Sequence, residues 1–350
     1  MNRPRPRPRL PAPKLPPWLP LDAYVLALIG TVVLAALLPA SGTGAQVASG
    51  TSTGAVALLF FLYGARLSAR EALAGLRHWR LHTTVLACTF VVFPLLGLAA
   101  YGLVPYVLTP SLHSGLLFLC LVPSTIQSSI AFTSMARGNV PAAICAGSFS
   151  SIAGILLTPL LAAALIGGDA GGFSADSLLR IALQLLVPFL AGQLLRGRVA
   201  GFLARHKKVI GYADRSSILL VVYTAFSAGV VEGVWHRVGL ARLGALLGVE
   251  AVLLAVMLTL TWYGAKRLGF GREDRIAIQF AGSKKSLAAG LPMASVLFGA
   301  EAAVAVLPLM LFHQMQLMVC AVIARRRAAD APEAISETLT PIADPSGARA

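Results

Sequence analysis

Acidic residues are scarce in this chain. Asp and Glu number 14 in 350 residues, and all charged residues together make up 12%. A water-soluble domain of this size keeps roughly 25% of its residues charged, so a solvated globular surface is excluded. Cysteine is nearly missing too: Cys88, Cys120, Cys145 and Cys320 are the whole set. They show neither disulfide nor metal-ligand spacing and sit inside apolar runs, where a small buried thiol is the reading. No Gly-rich loop ends in Lys-Ser/Thr, so ATP is not expected to drive the protein. No metal site, cofactor or catalytic residue is expected.

Apolar length is what the chain has instead. Hydrophobic residues make up 57% of it, and the mean hydropathy is +0.78. A helix crosses a bilayer with about 20 apolar residues. Ten runs meet that need, at 23–41, 51–67, 83–104, 114–135, 140–166, 177–195, 216–235, 241–264, 273–298 and 302–324. Barrel strands would be short and alternating. The fold class expected is therefore an all-α integral membrane protein with ten transmembrane helices, and the lipid bilayer is its first partner.

The net charge of +15 would suit nucleic acid, but its placement does not. Basic residues gather before the first run (Arg3, Arg5, Arg7, Arg9, Lys14) and after every even-numbered run, from Arg66–Arg80 through Arg137, Arg196–Arg215 and Lys266–Arg275 to Arg325–Arg327. The alternate loops hold only Arg237 and Arg242. This positive-inside bias puts both termini in the cytoplasm, which requires the even span count that ten supplies. Nucleic acid is not expected as a partner. The charge pattern also needs the first run retained rather than cleaved as a signal peptide. Arginine outnumbers lysine 23 to 6, and alanine and leucine abound, which suggests a GC-rich bacterial genome and hence the inner membrane. Residues 1–21 form a Pro/Arg-rich tail and residues 328–350 a polar one, both expected to be disordered. "GFLARHKKVIGYADR" (201–215) reads as a basic amphipathic segment on the cytoplasmic surface or, equally, as a solvated loop.

Halved at the acidic loop 167–176, the chain gives five runs on each side. An odd number makes the second half (171–327) run inverted relative to the first (22–170), as in many secondary transporters. The fourth run of each half is the unusual one: "LCLVPSTIQSSIAFTSMARGN" and "IQFAGSKKSLAAGLPMASVLF". Each begins apolar, breaks at a Ser-rich patch and resumes with small residues. Pro123 cannot donate a backbone hydrogen bond and disfavours helix at Val122. Ser124 and Thr125 can cap a new half-helix, with Gln127, Ser128, Ser129 and Thr133 adding polar groups behind them. In the ninth run Gly282 permits an unusual turn, and Ser283 or Ser286 can cap the half-helix beyond it. Two half-helix N-termini, each partly positive, would meet near the midplane.

Lys284 and Lys285 stand in that second break. An intramembrane charge costs roughly 2.5–3.5 kcal/mol on insertion scales, and no carboxylate in the fourth run or within the ninth can pair with them. One reading has them attract an anionic substrate, or has one exchange a proton, since burial works against its charge. Another has an ammonium cap the carbonyls that end the first half-helix. Neighbouring helical residues point about 100° apart, so one lysine could fill each role. Among weaker signals, Glu250 is a candidate partner for a lysine, and Thr89, five residues before Pro94, could face the site. His313, Gln314 and Gln316 suggest interhelical hydrogen bonds, Gln184 and Gln193 packing, and Arg180 a snorkelling end.

"FFLYGARLS", "VPSTIQSSIAFTSMARGN", "ARGNVPAAICAGSFSSIAGILLTPLL" and "GSKKSLAAGLPMASVLF" resemble segments of the bile acid:sodium symporter superfamily, and within it the sodium/bile acid cotransporter 7-like subgroup. The resemblance covers roughly residues 23–325. It implies a core domain in which the discontinuous fourth and ninth helices cross, and a separate panel domain made of the first, second, sixth and seventh. It also implies a substrate crevice between the two and alternating access by their relative motion. The chain departs from the sodium-coupled members. Their acid-x-Gly-x-Gln stretch, laid on Gly282, meets Phe280 and Lys284, and their Ser-Asn pair falls on Ser129 and Ile130. Two further hydroxyl ligands fall on Ala143 and Gly147. Lysine offers no acceptor to Na⁺, so Lys284 is expected to replace one bound sodium and transport to be sodium-independent or proton-coupled.

The function expected is a secondary transporter of a small organic anion. The binding residues expected are Thr89, Ser124, Thr125, Gln127, Ser128, Ser129, Thr133, Gly282, Ser283, Lys284, Lys285 and Ser286. Two alternatives stand beside it. One is a non-transporting membrane regulator, for example of calcium entry, which the subgroup resemblance allows. The other is an intramembrane enzyme in which Ser283 or Ser286 beside a lysine resembles a nucleophile–base pair; adjacent residues on a helix splay apart, so that geometry is poor.

Overall fold

A backbone surrounded by hydrocarbon must satisfy its own polar groups, and a helix does so within one segment. Every regular element among the described residues is helical. The computed structural model describes residues 23–66, 78–166, 175–231, 233 and 239–330. The tail expected at 1–21, most of that at 328–350, Arg237 and most of the acidic loop lie outside the described residues, as does the side chain of Arg180.

The helices are α1 (Ala23–Leu37), α2 (Gly42–Arg66), α3 (Trp79–Ala87), α4 (Phe93–Ala99), α5 (Pro110–Leu121), α6 (Ile126–Met135), α7 (Val140–Leu165), α8 (Ala175–Arg205), α9 (Lys207–Val231), α10 (Leu240–Arg267), α11 (Arg272–Gly282), α12 (Leu287–Phe298) and α13 (Ala302–Ala329). A π-helical turn, Cys88–Val92, joins α3 to α4. Each apolar run falls on one of these helices or on a pair. Among the described residues, six stretches are long and apolar enough to cross a membrane: α2, 79–103, α7, α9, α10 and α13. α5 and α6, bent by 64° at their break, make a seventh if taken as one span. The segment 201–215 is not a separate surface helix. α8 runs to Arg205 and α9 starts at Lys207, so its residues are the ends of two long helices. Similarly, α13 carries helix on through Ala329, past the expected start of the tail.

The helices pack in two groups. α1, α2, α8 and α9 hold one another through α2 on α8, α1 on α9 and α9 on α2. α2 and α8 approach closely at paired glycines: a Cβ on Gly64 would lie 2.0 Å from the Phe189 carbonyl oxygen, and one on Gly192 2.0 Å from that of Phe61. Small residues that let backbones meet are the usual adhesive of membrane helices. At one end of this group Arg66 of α2 pairs with Asp214 of α9 at 2.5 Å.

In the second group α7 packs on α3 and α6, α5 on α4 and α13, α11 on α6 and α10, and α12 on α13. One of its ends is basic. There Arg80 donates to the Leu268 carbonyl, Arg272 to the carbonyls of Arg137 and Arg327, and Asn139 N–H to Glu273. At the other end Arg242, starting α10, donates to the carbonyls of Pro105 and Tyr106.

Candidate functional site

Two breaks meet inside the second group. Val122 is extended (φ −71°, ψ 154°), as the residue before a proline prefers, so α5 stops there and α6 restarts at Ile126. α11 stops at Gly282 and α12 restarts at Leu287. The breaks are bonded to each other: Ser286 N–H donates to the Pro123 carbonyl at 2.9 Å. Of the expected caps, only Ser286 acts as one, its hydroxyl accepting from Ala289 N–H at 3.2 Å. Thr125 occupies the N-cap of α6 without a capping bond. Gly282 does not supply a left-handed turn; it is the last residue of α11, and a Cβ there would come within 3.2 Å of Thr261 and 3.3 Å of Cys88. Its role is close approach.

Interrupting a helix orphans the carbonyls of its last turn, and buried in hydrocarbon each must find a donor. The serines and threonines supply most of them. Ser124 Oγ donates to Ala281 (2.5 Å), Ser129 Oγ to Phe280 (3.0 Å), Ser283 Oγ to Gln279 (2.6 Å) and Thr158 Oγ1 to Leu121 (2.9 Å). Ser124 N–H finds Ser150 Oγ at 2.9 Å. Gln316 of α13 takes both sides of one residue, accepting from Lys285 N–H (2.9 Å) and donating to the Lys285 carbonyl (2.8 Å).

Lys285 satisfies three further carbonyls. Its Nζ donates to Thr89 (2.9 Å), Cys120 (2.7 Å) and Val122 (2.8 Å), the full donor count of an ammonium. Thr89 is orphaned for a definite reason. In the π turn Phe93 N–H bonds Cys88 rather than Thr89, and the next residue, Pro94, has no N–H. Cys120 would ordinarily accept from Ser124, whose N–H is taken by Ser150. The Phe93 ring, 4.2 Å away, covers the ammonium.

Lys284 is as deeply buried, also 0% exposed, but far less satisfied. Its Nζ donates to Ser128 Oγ at 3.0 Å and otherwise faces the rings of Phe132 at 4.5 Å and Phe280 at 5.9 Å. Ser128 in turn donates to Thr125 Oγ1 at 3.4 Å. Thr125, Gln127 and Ser128 are the polar residues of 122–128 that keep access to the surface.

The twelve expected site residues thus separate by position. Ser124, Ser129, Ser283 and Lys285 are buried with their side-chain donors given to carbonyls, and Thr89 contributes its carbonyl while its hydroxyl bonds Val85. Thr133 is buried with its hydroxyl unpartnered. Glu250 pairs with neither lysine; it is buried, and both its carboxyl oxygens lack a hydrogen-bond partner. Sequence reasoning missed two hydroxyls of α7, Ser150, which accepts from Ser124 N–H, and Thr158, which donates to the Leu121 carbonyl. The signal was the small, hydroxyl-rich face "GSFSSIAGILLT" next to Gly154, where a Cβ would lie 2.7 Å from Pro123. It also missed Phe132 and Phe280 as the rings facing Lys284, and Tyr63 of α2, whose hydroxyl donates to the Ala288 carbonyl at 3.4 Å and links the two helix groups.

Residues 22–329 match the SBF-like CPA transporter family. An uncharacterized protein of Pseudomonas aeruginosa is 54% identical over 327 residues, covering 92% of this chain and 98% of its own. The proposed symporter YfeH of Escherichia coli is 49% identical over 307 residues, 87% and 92% of the two chains. The sodium/bile acid cotransporter 7 of Danio rerio is 26% identical over 273 residues, 77% and 81% of the two.

Proposed function

The chain belongs to the SBF-like CPA transporter family, and from that membership we propose that it is a secondary transporter of a small organic anion, working by alternating access without the sodium sites of the wider superfamily. The helix count proposed is ten, in two inverted repeats (22–170 and 171–327), with α1, α2, α8 and α9 as the panel and the crossed pairs α5–α6 and α11–α12 in the core. Both termini are assigned to the cytoplasm on the charge pattern, in a bacterial inner membrane. In this reading the two packing groups are taken as panel and core, and the crevice proposed between them is assigned to the side where Thr125, Gln127 and Ser128 keep access to the surface.

The observation that carries this reading is the unequal satisfaction of the two ammonium groups. Lys285 has three carbonyls and occupies the kind of oxygen cage a bound cation would take. It, rather than Lys284, stands in for a bound sodium. Ala143, fully buried, and Gly147, against Ile126, carry no hydroxyl to offer a sodium ion. Lys284 has one hydroxyl acceptor and, through Ser128, adjoins the accessible part of the break. It is the group free to meet a substrate anion or to exchange a proton. The half-helix N-termini of α6 and α12 add partial positive charge beside it.

Counterflow in proteoliposomes tests this. A labelled organic anion is expected to accumulate unchanged, with or without a Na⁺ gradient, and Lys284→Ala is expected to abolish uptake. Uptake that demands a Na⁺ gradient would overturn the sodium-free reading, and conversion of the solute would overturn transport itself. Liposomes that move no solute, from a protein that alters calcium entry in cells, would favour a regulator instead.

A further inference from the structure

Three guanidinium groups gather at the basic end, where α10, α11 and α13 finish or begin. Arg275 lies 4.0 Å over the indole of Trp262, and Arg327 lies 3.2 Å over the same ring. Arg272 donates to the carbonyls of Arg327 and Arg137, which holds it in the same cluster. None of the three is ion-paired with an acid among the described residues. Asp274 is occupied by Asn139 at 2.7 Å, and Asp330 offsets part of the charge of Arg327 from a distance. Arg275 Nε is buried without a hydrogen-bond partner.

A guanidinium stacked on an aromatic ring uses its face and leaves its N–H edge free, and that planar fork matches a phosphate in two-point fashion. Gathering two such cations beside Arg272 leaves a repulsion that an anion from outside would relieve. Trp262 and Tyr263 mark the depth: Thr261 is buried, Trp262 half-buried and Tyr263 exposed, the place of an aromatic belt at a membrane interface. We propose that the Arg272–Arg275–Arg327 cluster around Trp262 binds the phosphate of an anionic lipid headgroup. Such a lipid would tie the last turns of α10 and α13 to the first turn of α11, the half-helix that leads into the Lys284–Lys285 break.

Thermal unfolding of the purified full chain in detergent, titrated separately with phosphatidylglycerol, phosphatidylcholine and inorganic phosphate, tests the site. Phosphatidylglycerol is expected to stabilise the wild-type chain. The double variant R275Q/R327Q should need about thirtyfold more of it, the equivalent of about 2 kcal/mol at about 1 kcal/mol per basic side chain. R205Q, which removes an exposed arginine at the end of α8, should titrate like the wild type. R275K, which keeps the charge but loses the planar fork, should weaken the effect alone and covers the case in which the double variant fails to fold. An unchanged titration in R275K and in R275Q/R327Q overturns the site. Equal stabilisation by phosphatidylcholine or by inorganic phosphate overturns the anionic lipid as its ligand.

Discussion

Lys285 points its ammonium at three carbonyls that no backbone N–H reaches, whereas Lys284, one residue earlier, meets a single hydroxyl and two rings. The difference predicts opposite phenotypes. Lys285→Met leaves three buried acceptors bare, at about 1–3 kcal/mol each, so the protein should unfold far earlier in a detergent melt. Lys284→Ala should melt within a few degrees of the wild type yet fail to transport. Equal melting losses would put both lysines in the same structural role. Gln316→Leu strips both hydrogen bonds from the Lys285 peptide, a loss of about 2 kcal/mol at about 1 kcal/mol per bond, measurable in the same assay. Both lysines were conspicuous in the sequence. That one could cap carbonyls and the other face the site was anticipated, but not which does which, because neither lies in a helix, and a fixed 100° spacing has no meaning in a break.

At the scale of the element, the π turn at Cys88–Val92 and the break at 122–125 are coupled through one side chain. Pro94 removes the N–H that could have reached Thr89, and Lys285 supplies the substitute. Pro94→Ala restores a donor. It should therefore soften the loss caused by Lys285→Met by about 1 kcal/mol, seen as a coupling energy in a double-mutant cycle; strictly additive losses would show that Thr89 is not orphaned for this reason. The sequence located both breaks from Pro123 and the serine clusters, since proline and a run of hydroxyls are local signals. It named Ser286, which caps α12, but assigned the cap of α6 wrongly, because Ser124 reaches across to Ala281 instead of bonding its own helix. That partner is 157 residues away, and no local pattern names it.

For the molecule as a whole, α2 and α8 meet at Gly64 and Gly192 with no room for a side chain. Gly192→Val should push the pair apart and cost about 1–3 kcal/mol as overpacking, read as a lower melting temperature. The two helix groups meet where α8 packs on α7 and α9 on α12 and α13, and Tyr63 bonds Ala288 at 3.4 Å across them. If transport requires the groups to move against each other, then Tyr63→Cys with Ala288→Cys, joined by a short thiol cross-linker, should stop uptake, and a cleavable linker should restore it on reduction. Undiminished uptake by the cross-linked protein would refute relative motion at this contact.

Apolar length and the grouping of basic residues sufficed to set an all-helical membrane protein, and one proline and two polar patches sufficed to place its breaks. These are properties of the chain read in order, since helix formation and insertion respond to local composition. What the ammonium groups and hydroxyls do was decided only by folding. A buried polar group takes its meaning from the orphan it satisfies, and the orphans here lie on helices brought together from distant parts of the sequence.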